Sequence, residues 1–326
     1  MRSLTHISAR TVAEACLLLR EYKGKAKLNA GGTDLLSALK GEILFDYPEA
    51  LIDIKTISGL DDIREDGDSL KIGALAKLSD IAKSPLLGQR YRVLAKATHS
   101  VATPQVRHMA TLGGNLCQDV RCWYYRYPRH IGGPMHCLRK GNGPCLAVSG
   151  DNRYHAILGG KRCFAVCPSD IAVALAALDA QIKIASPKGE RRIAVADFFG
   201  TLGNSLKRDE MVTEIDVPRG TGPAKQTFLK FTLRRPVDFA IVSVASVITM
   251  EGGICSDARI ALGSVAAAPV RARKAEEVIK GRSIDQKAAT EAADQAVAGA
   301  KPLRMNAYKV EITRRLVERA ILSQDN

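Results

Sequence analysis

No stretch of the 326 residues stays apolar long enough to cross a membrane. The first 25 residues, MRSLTHISARTVAEACLLLREYKGK, hold no run suited to a secretory signal. Both absences point to a cytoplasmic protein whose thiols start out reduced. Blocks of five like charges are missing, and so are helix-turn-helix and zinc-finger patterns. The net charge of +14 therefore reads as a solvated basic surface, or as one suited to an anionic ligand or an acidic partner, ahead of nucleic acid. The GxGxxG fingerprint is absent too, which argues against a Rossmann dinucleotide site. There is no internal repeat and no low-complexity tract.

What is there is a cysteine cluster. Eight cysteines are present, and six of them, from Cys117 to Cys167, fall within 51 residues. Cys16 and Cys255 stand apart and read as small core hydrophobes. Clustered thiols in a reducing compartment suggest a metal site more than disulfides. Three of them lie in VRCWYYRYPRHIGGPMHCLRKGNGPC, residues 120–145, which shows no helix or strand rhythm; loops of that length are usually functional or disordered. With 46 % hydrophobic residues, the chain can build sizeable cores in two or three domains.

Residues 1–60 read as a small α/β unit. TVAEACLLLREY has helical spacing, AKLNAGGTDLLSALKGE runs strand, glycine turn, helix, and ALIDIKTI is a second strand. A second unit follows, with hairpin-like strands at SLKIGALAKL, helices at LSDIAKSPLL and YRVLAKATHSVA, and a helix running into a strand at SDIAVALAALDAQIKIAS. A boundary falls near VPRGTGPAKQ, residues 217–226. Antiparallel strands around an EGG turn come next, then a helical tail in which Tyr308, Ile312 and Leu316 form a core stripe.

Two glycine pairs stand out, NAGGTDLL and ATLGGNLC. Such pairs let the backbone approach a ligand and turn consecutive N–H groups toward it, an arrangement suited to phosphate; each alone also suits an ordinary tight turn. AGGTDLL, followed about eighty residues later by SVATPQVRHMATLGGNL, resembles the FAD-binding subunit of the xanthine dehydrogenase and carbon monoxide dehydrogenase family. The similarity continues through NRYHAILGG, PSDIAVALAALDA and KPLRMNAYKVEITRRLVERAIL. It implies an α+β fold. A two-lobed, PCMH-type FAD-binding domain, like that of vanillyl-alcohol oxidase, spans 1–217 (about 1–55 and 56–217). A smaller α/β C-terminal domain, of the carbon monoxide dehydrogenase flavoprotein type, spans 222–326. On that pattern Ala30, Gly31, Gly32, Thr33 and Asp34 form one FAD diphosphate loop, and Thr111, Gly113, Gly114 and Asn115 the other. FLKFTLRRPVDFAI resembles the stretch whose lysine reaches the flavin ring, which assigns Lys230 to the cofactor. The alternative for Lys230 is a solvated strand lysine, and Arg234 and Arg235 read equally as surface or interface charges.

The loop at about 117–167 resembles that of the 4-hydroxybenzoyl-CoA reductase FAD subunit, where it binds an additional [4Fe–4S] cluster. The resemblance assigns the ligands to Cys122, Cys137, Cys145 and Cys163. Their gaps of 14, 7 and 17 residues include no tight zinc-type pair and differ from ferredoxin runs; zinc and unligated thiols remain alternatives. Cys167 is the rival fourth ligand. Trp123, Tyr124 and Tyr125 read as a cover over the cluster or as an interface patch, and His155 as a packing residue. Loss of the cluster should leave FAD in place, because the glycine turns are separate in sequence.

The chain itself offers no molybdopterin motif and no C-x₄-C-x₂-C signature. The family supplies these on a large molybdenum subunit and a small two-[2Fe–2S] subunit, in a dimer of heterotrimers, with an external carrier such as ferredoxin. Electrons would pass between those clusters and FAD here, and no catalytic acid, base or nucleophile is assigned to this chain. The rivals are an aldehyde or xanthine dehydrogenase FAD subunit, a stand-alone flavin oxidoreductase, and a zinc-loop binding module.

Overall fold

The structure, a computed structural model, describes residues 1–133, 135–220, 223–234 and 237–323. At the N-terminal end, strands Thr5–Ser8 and Ala26–Asn29 flank Ala50–Asp53 in a parallel sheet. The central strand is buried at all four positions, as a strand covered on both faces must be. Helix Val12–Glu21 packs on this sheet through Ala15, Cys16 and Leu19. The Thr11 hydroxyl caps it by accepting from the Glu14 amide at 3.1 Å, and the Glu14 carboxylate accepts from the Arg10 amide at 2.8 Å.

The second sheet has five antiparallel strands in the order Ile63–Asp66, Ser69–Gly73, Met211–Pro218, Gln181–Ser186, Gly189–Ala194. The stretch 69–78 supplies one strand rather than the two expected of a hairpin. Its partner precedes it, around Gly67 at φ 59°, and beyond Gly73 the Leu75 amide bonds out to the Leu60 carbonyl. The run 78–87 is two helices, Leu78–Lys83 and Pro85–Arg90, because Pro85 has no amide to continue the first.

The C-terminal domain sets strands Ala224–Phe231, Val242–Glu251, Ile254–Gly263 and Val270–Arg271 against helices Arg273–Ile279, Gln286–Val297 and Tyr308–Leu322. Of the expected stripe on the last helix, Leu316 is buried and Ile312 packs on the core, and only Tyr308 falls outside it. Lys309, Thr313, Leu316 and Val317 turn inward, and Tyr308 is 39 % exposed. The Lys309 ammonium is drawn in by the carbonyls of Ser264 and His155, at 2.7 and 3.0 Å.

Helix Asp170–Ala177 joins the two domains. All eight of its residues are buried, and one apolar core runs from Leu70 and Ile72 through Ile171 and Leu175 to Ala245 and Ala261 of the C-terminal sheet. A helix apolar on every side fits only between two layers. The expected boundary at 217–226 carries the chain from Met211–Pro218 to Ala224–Phe231; residues 221–222 and Arg235 lie outside the described residues.

Candidate flavin cleft and cysteine chamber

The first glycine turn follows the edge strand Ala26–Asn29 and leads into helix Leu35–Lys40. Gly32 adopts φ +69°, a conformation that favours glycine. A Cβ on Gly31 would stand 2.1 Å from the Met109 carbonyl oxygen, so glycine there lets this turn touch the approach to the second one. In the second turn the Thr111 hydroxyl accepts from the Gly114 amide at 3.2 Å, and Gly113 packs on Ala74 with no room for a side chain. The two turns line one cleft of about 980 Å³, a volume at the top of the range for cofactor sites. Ala30, Gly31, Gly32, Thr33, Asp34, Thr111, Gly113 and Gly114 all reach its wall.

Two assigned cofactor residues do not. The Asn115 side chain accepts from the Ser169 hydroxyl at 2.6 Å, and so braces the second turn from behind. Lys230 pairs with Asp170 at 2.8 Å and donates to the Ser100 carbonyl at 2.9 Å, away from the cleft wall. It is neither solvated nor, in this arrangement, turned toward the cleft.

The loop 118–167 folds into a chamber beside the cleft. Cys122, Cys137, Cys145 and Cys163 line one small cavity together with Tyr124, Tyr125 and Leu146. Cys117 and Cys167 line the flavin cleft instead. Trp123 is 37 % exposed and anchors its indole N–H on the Asp151 carbonyl at 3.0 Å, so of the three aromatics only the tyrosines form the chamber wall. Burial pushes the Cys122 thiol up to about 11, with Cys163 and Cys145 adding to the effect, and pushes Cys167 to about 12.

Cations surround the chamber. Lys140 is 8 % exposed, faces the Tyr125 ring at 5.9 Å, and has no carboxylate partner among the described residues. The Arg139 side chain is 5 % exposed, and its Nε has no hydrogen-bond partner. Arg139 is offset by Asp119 at 3.6 Å; for Lys140, four neutral thiols give nothing to offset its burial, whereas a thiolate-bound metal centre would. Among the described residues, no three His, Cys, Asp or Glu side chains converge on a single-ion site. In a tetrahedral zinc site the sulfurs stand about 3.8 Å apart. An iron–sulfur cluster needs them wider, because each binds a different iron. Donor type, number and enclosure fit such a cluster, although the space between the side chains, about 20 Å³, is that of one water and would have to widen.

Several contacts here were not legible as function in the sequence. His155 places Nε2 3.3 Å from the Cys122 sulfur, with its Nδ1 buried and unpartnered and its carbonyl held by Asn306 and Lys309. It packs against the Trp123 and Tyr124 rings, as expected of a packing residue, and also faces the Cys122 sulfur. Asp34, in the first glycine turn, accepts from Arg121 at 2.9 Å, from Arg126 at 2.8 Å and from the Asp119 amide at 3.0 Å. Burial works against its charge, but the two guanidiniums outweigh it and hold the carboxyl below its usual value. Tyr125 and Arg139 line both the cleft and the chamber. The clue available in the sequence was the arginine spacing around Cys122, which reads equally as a solvated loop. His130 and His136 are exposed.

Comparison with known proteins defines the class. Residues 2–220 match the FAD binding domain in molybdopterin dehydrogenase, and residues 227–324 the CO dehydrogenase flavoprotein C-terminal domain. The chain is 35 % identical over 324 residues to the aldehyde oxidoreductase FAD-binding subunit of Escherichia coli K12, covering 97 % of this chain and 96 % of that one. It is 32 % identical to the carbon monoxide dehydrogenase medium chain of Hydrogenophaga pseudoflava, covering 96 % and 93 %. A solved carbon monoxide dehydrogenase from H. pseudoflava superposes with a TM-score of 0.79 at 28 % identity, over 98 % of this chain and 96 % of that one. The chain belongs to the FAD-binding medium subunits of the xanthine dehydrogenase and carbon monoxide dehydrogenase family, and is an oxidoreductase subunit.

Proposed function

We propose that this subunit carries a [4Fe–4S] cluster on Cys122, Cys137, Cys145 and Cys163 beside its FAD, and passes electrons between a molybdenum enzyme's clusters and an external carrier. The observation that carries the reading is the chamber itself: four cysteines from distant positions line one small cavity, with the buried Lys140, which has no carboxylate partner among the described residues, beside it. When bound, FAD supplies two-electron and the cluster one-electron redox chemistry. This chain's residues bind and enclose both groups. The two glycine turns give FAD its close backbone contacts, the tyrosines keep water from the chamber, and Arg139 and Lys140 offset cluster charge. Partner subunits would hold the molybdopterin and the two [2Fe–2S] clusters in a dimer of heterotrimers, with a ferredoxin-like carrier outside, in the cytoplasm. Similarity to an aldehyde oxidoreductase subunit favours aldehyde oxidation by the whole enzyme, with electrons flowing outward, over the 4-hydroxybenzoyl-CoA reductase reading. In either reading residues 1–217 and 222–326 are the two functional units, and Lys230 is reserved for the flavin ring, which it would reach by releasing Asp170.

Serine at each of Cys122, Cys137, Cys145 and Cys163 tests this, because it replaces a soft thiolate with a poor iron ligand. Iron and sulfide should fall in all four variants of the anaerobically purified protein and stay unchanged in Cys167→Ser. Iron retained in Cys163→Ser but lost in Cys167→Ser would reassign the fourth ligand. Zinc, or no metal, in the unmutated protein would end the cluster reading.

A further inference from the structure

The flavin turn and the cysteine loop are far apart in sequence and locked together in space. Asp34 stands at the start of helix Leu35–Lys40, yet its carboxylate makes no bond to that helix. Both its oxygens go to the cysteine loop instead. Oδ1 meets Arg121 at 2.9 Å and Arg126 at 2.8 Å, and Oδ2 accepts from Arg126 at 2.9 Å and from the Asp119 amide at 3.0 Å. The side chains of this triad are 17–22 % exposed, so water screens the pairing only in part.

The same arginines are fixed by the chamber. Arg121 adjoins Cys122, and the Arg126 amide donates to the Cys122 carbonyl at 2.9 Å, closing one turn of backbone over the sulfur. The Arg126 side chain also clasps the Val120 and Asp119 carbonyls, at 2.8 and 3.0 Å. Tyr125, between them, gives its hydroxyl to the Asp119 carboxylate, and its ring forms part of both cavity walls. Wherever Cys122 is held, Arg121 and Arg126 are held, and through them the turn that lines the flavin cleft.

We propose that the Asp34–Arg121–Arg126 cluster couples the two cofactor sites, so that filling the cysteine chamber tightens FAD binding and emptying it loosens FAD. The inference rests on the [4Fe–4S] reading above. Asp34, Arg121 and Arg126 are positioning residues: they set the flavin turn and ligate nothing. Coupling of this kind is reciprocal, so bound FAD also stabilises the cluster. This proposal departs from the expectation that FAD stays in place when the cluster is lost.

The test measures FAD dissociation constants on the native complex after reversible removal of flavin, beside iron and sulfide content and thermal midpoint. Arg126→Gln should weaken FAD by about tenfold or more while the iron content holds, as expected for loss of a charged hydrogen bond in a partly buried site. Asp34→Asn should do the same, and the double variant should be no worse than either single one. Arg126→Lys should recover part of the affinity, and Arg129→Ala, an exposed neighbour, should change nothing. Emptying the chamber leaves the triad chemically intact, so it isolates the coupling. Both Cys145→Ser and chelation of iron from the unmutated complex should raise the FAD dissociation constant. FAD affinity unchanged after verified iron loss would overturn the coupling and leave the cluster reading standing. About four irons per FAD in the unmutated complex, the partner's [2Fe–2S] share alone, would overturn the cluster reading, and the coupling with it. Additive effects of Asp34→Asn and Arg126→Gln would also overturn it.

Discussion

Asp34 sets a partly buried carboxylate between two guanidiniums, and its pH behaviour follows. Burial raises its proton affinity, and Arg121 and Arg126 lower it further than burial raises it, so the folded value lies below the usual one. A depressed carboxyl contributes fully above its unfolded value of about 4 and loses that contribution as pH falls through the folded value. FAD should therefore loosen below about pH 4 in the unmutated protein. In Asp34→Asn, already weak, this step should be missing from a flavin-release titration run downward from pH 6. An identical acid step in both proteins would show that another group controls release. The glycines show how much at this scale was readable. The pairs at 31–32 and 113–114 announced backbone approach to a ligand, and they do line a cleft. The chain uses Gly31 and Gly113 as much for its own packing, against Met109 and Ala74, and no spacing rule could have separated those roles. His155 escaped for a simpler reason: its sulfur contact joins residues 33 positions apart.

Among the elements, helix Asp170–Ala177 ties the site to the core. The Ser169 hydroxyl accepts from the Ala172 amide at 3.0 Å as its cap and donates to Asn115 at 2.6 Å, so one oxygen starts the helix and braces the second flavin turn. Ser169→Ala should cost about 1–2 kcal/mol in denaturant unfolding, the usual cost of a lost cap, and should also weaken FAD. Stability lost with flavin affinity unchanged would separate the cap from the cleft. This helix was plain in the sequence because its apolar run and serine start are local signals. The cysteine loop was not, because its shape comes from long-range contacts such as the Arg121–Val166 bridge and the clasp on Asp34. In the last helix Ile312 and Leu316 pack as expected, but an apolar stripe gives no hint that Lys309 will be drawn inward by three carbonyls.

Over the whole molecule, motif order along the chain carried the fold: two glycine turns, then PSDIAVALAALDA, then the terminal helix. The three larger sheets and the shared core agree with that order and with the family match over residues 2–220 and 227–324. The convergence of four cysteines from residues 122–163 on one cavity depends on tertiary structure, and on the proposed reading what that cavity holds links FAD to the external carrier. The most direct measurement is iron, sulfide and flavin counting with EPR and Mössbauer spectroscopy on the anaerobically purified native complex. With two [2Fe–2S] clusters on the partner and one four-iron cluster here, the account predicts about eight irons per FAD and a [4Fe–4S] spectrum beside the [2Fe–2S] ones. About four irons per FAD, with [2Fe–2S] signals alone, would contradict it.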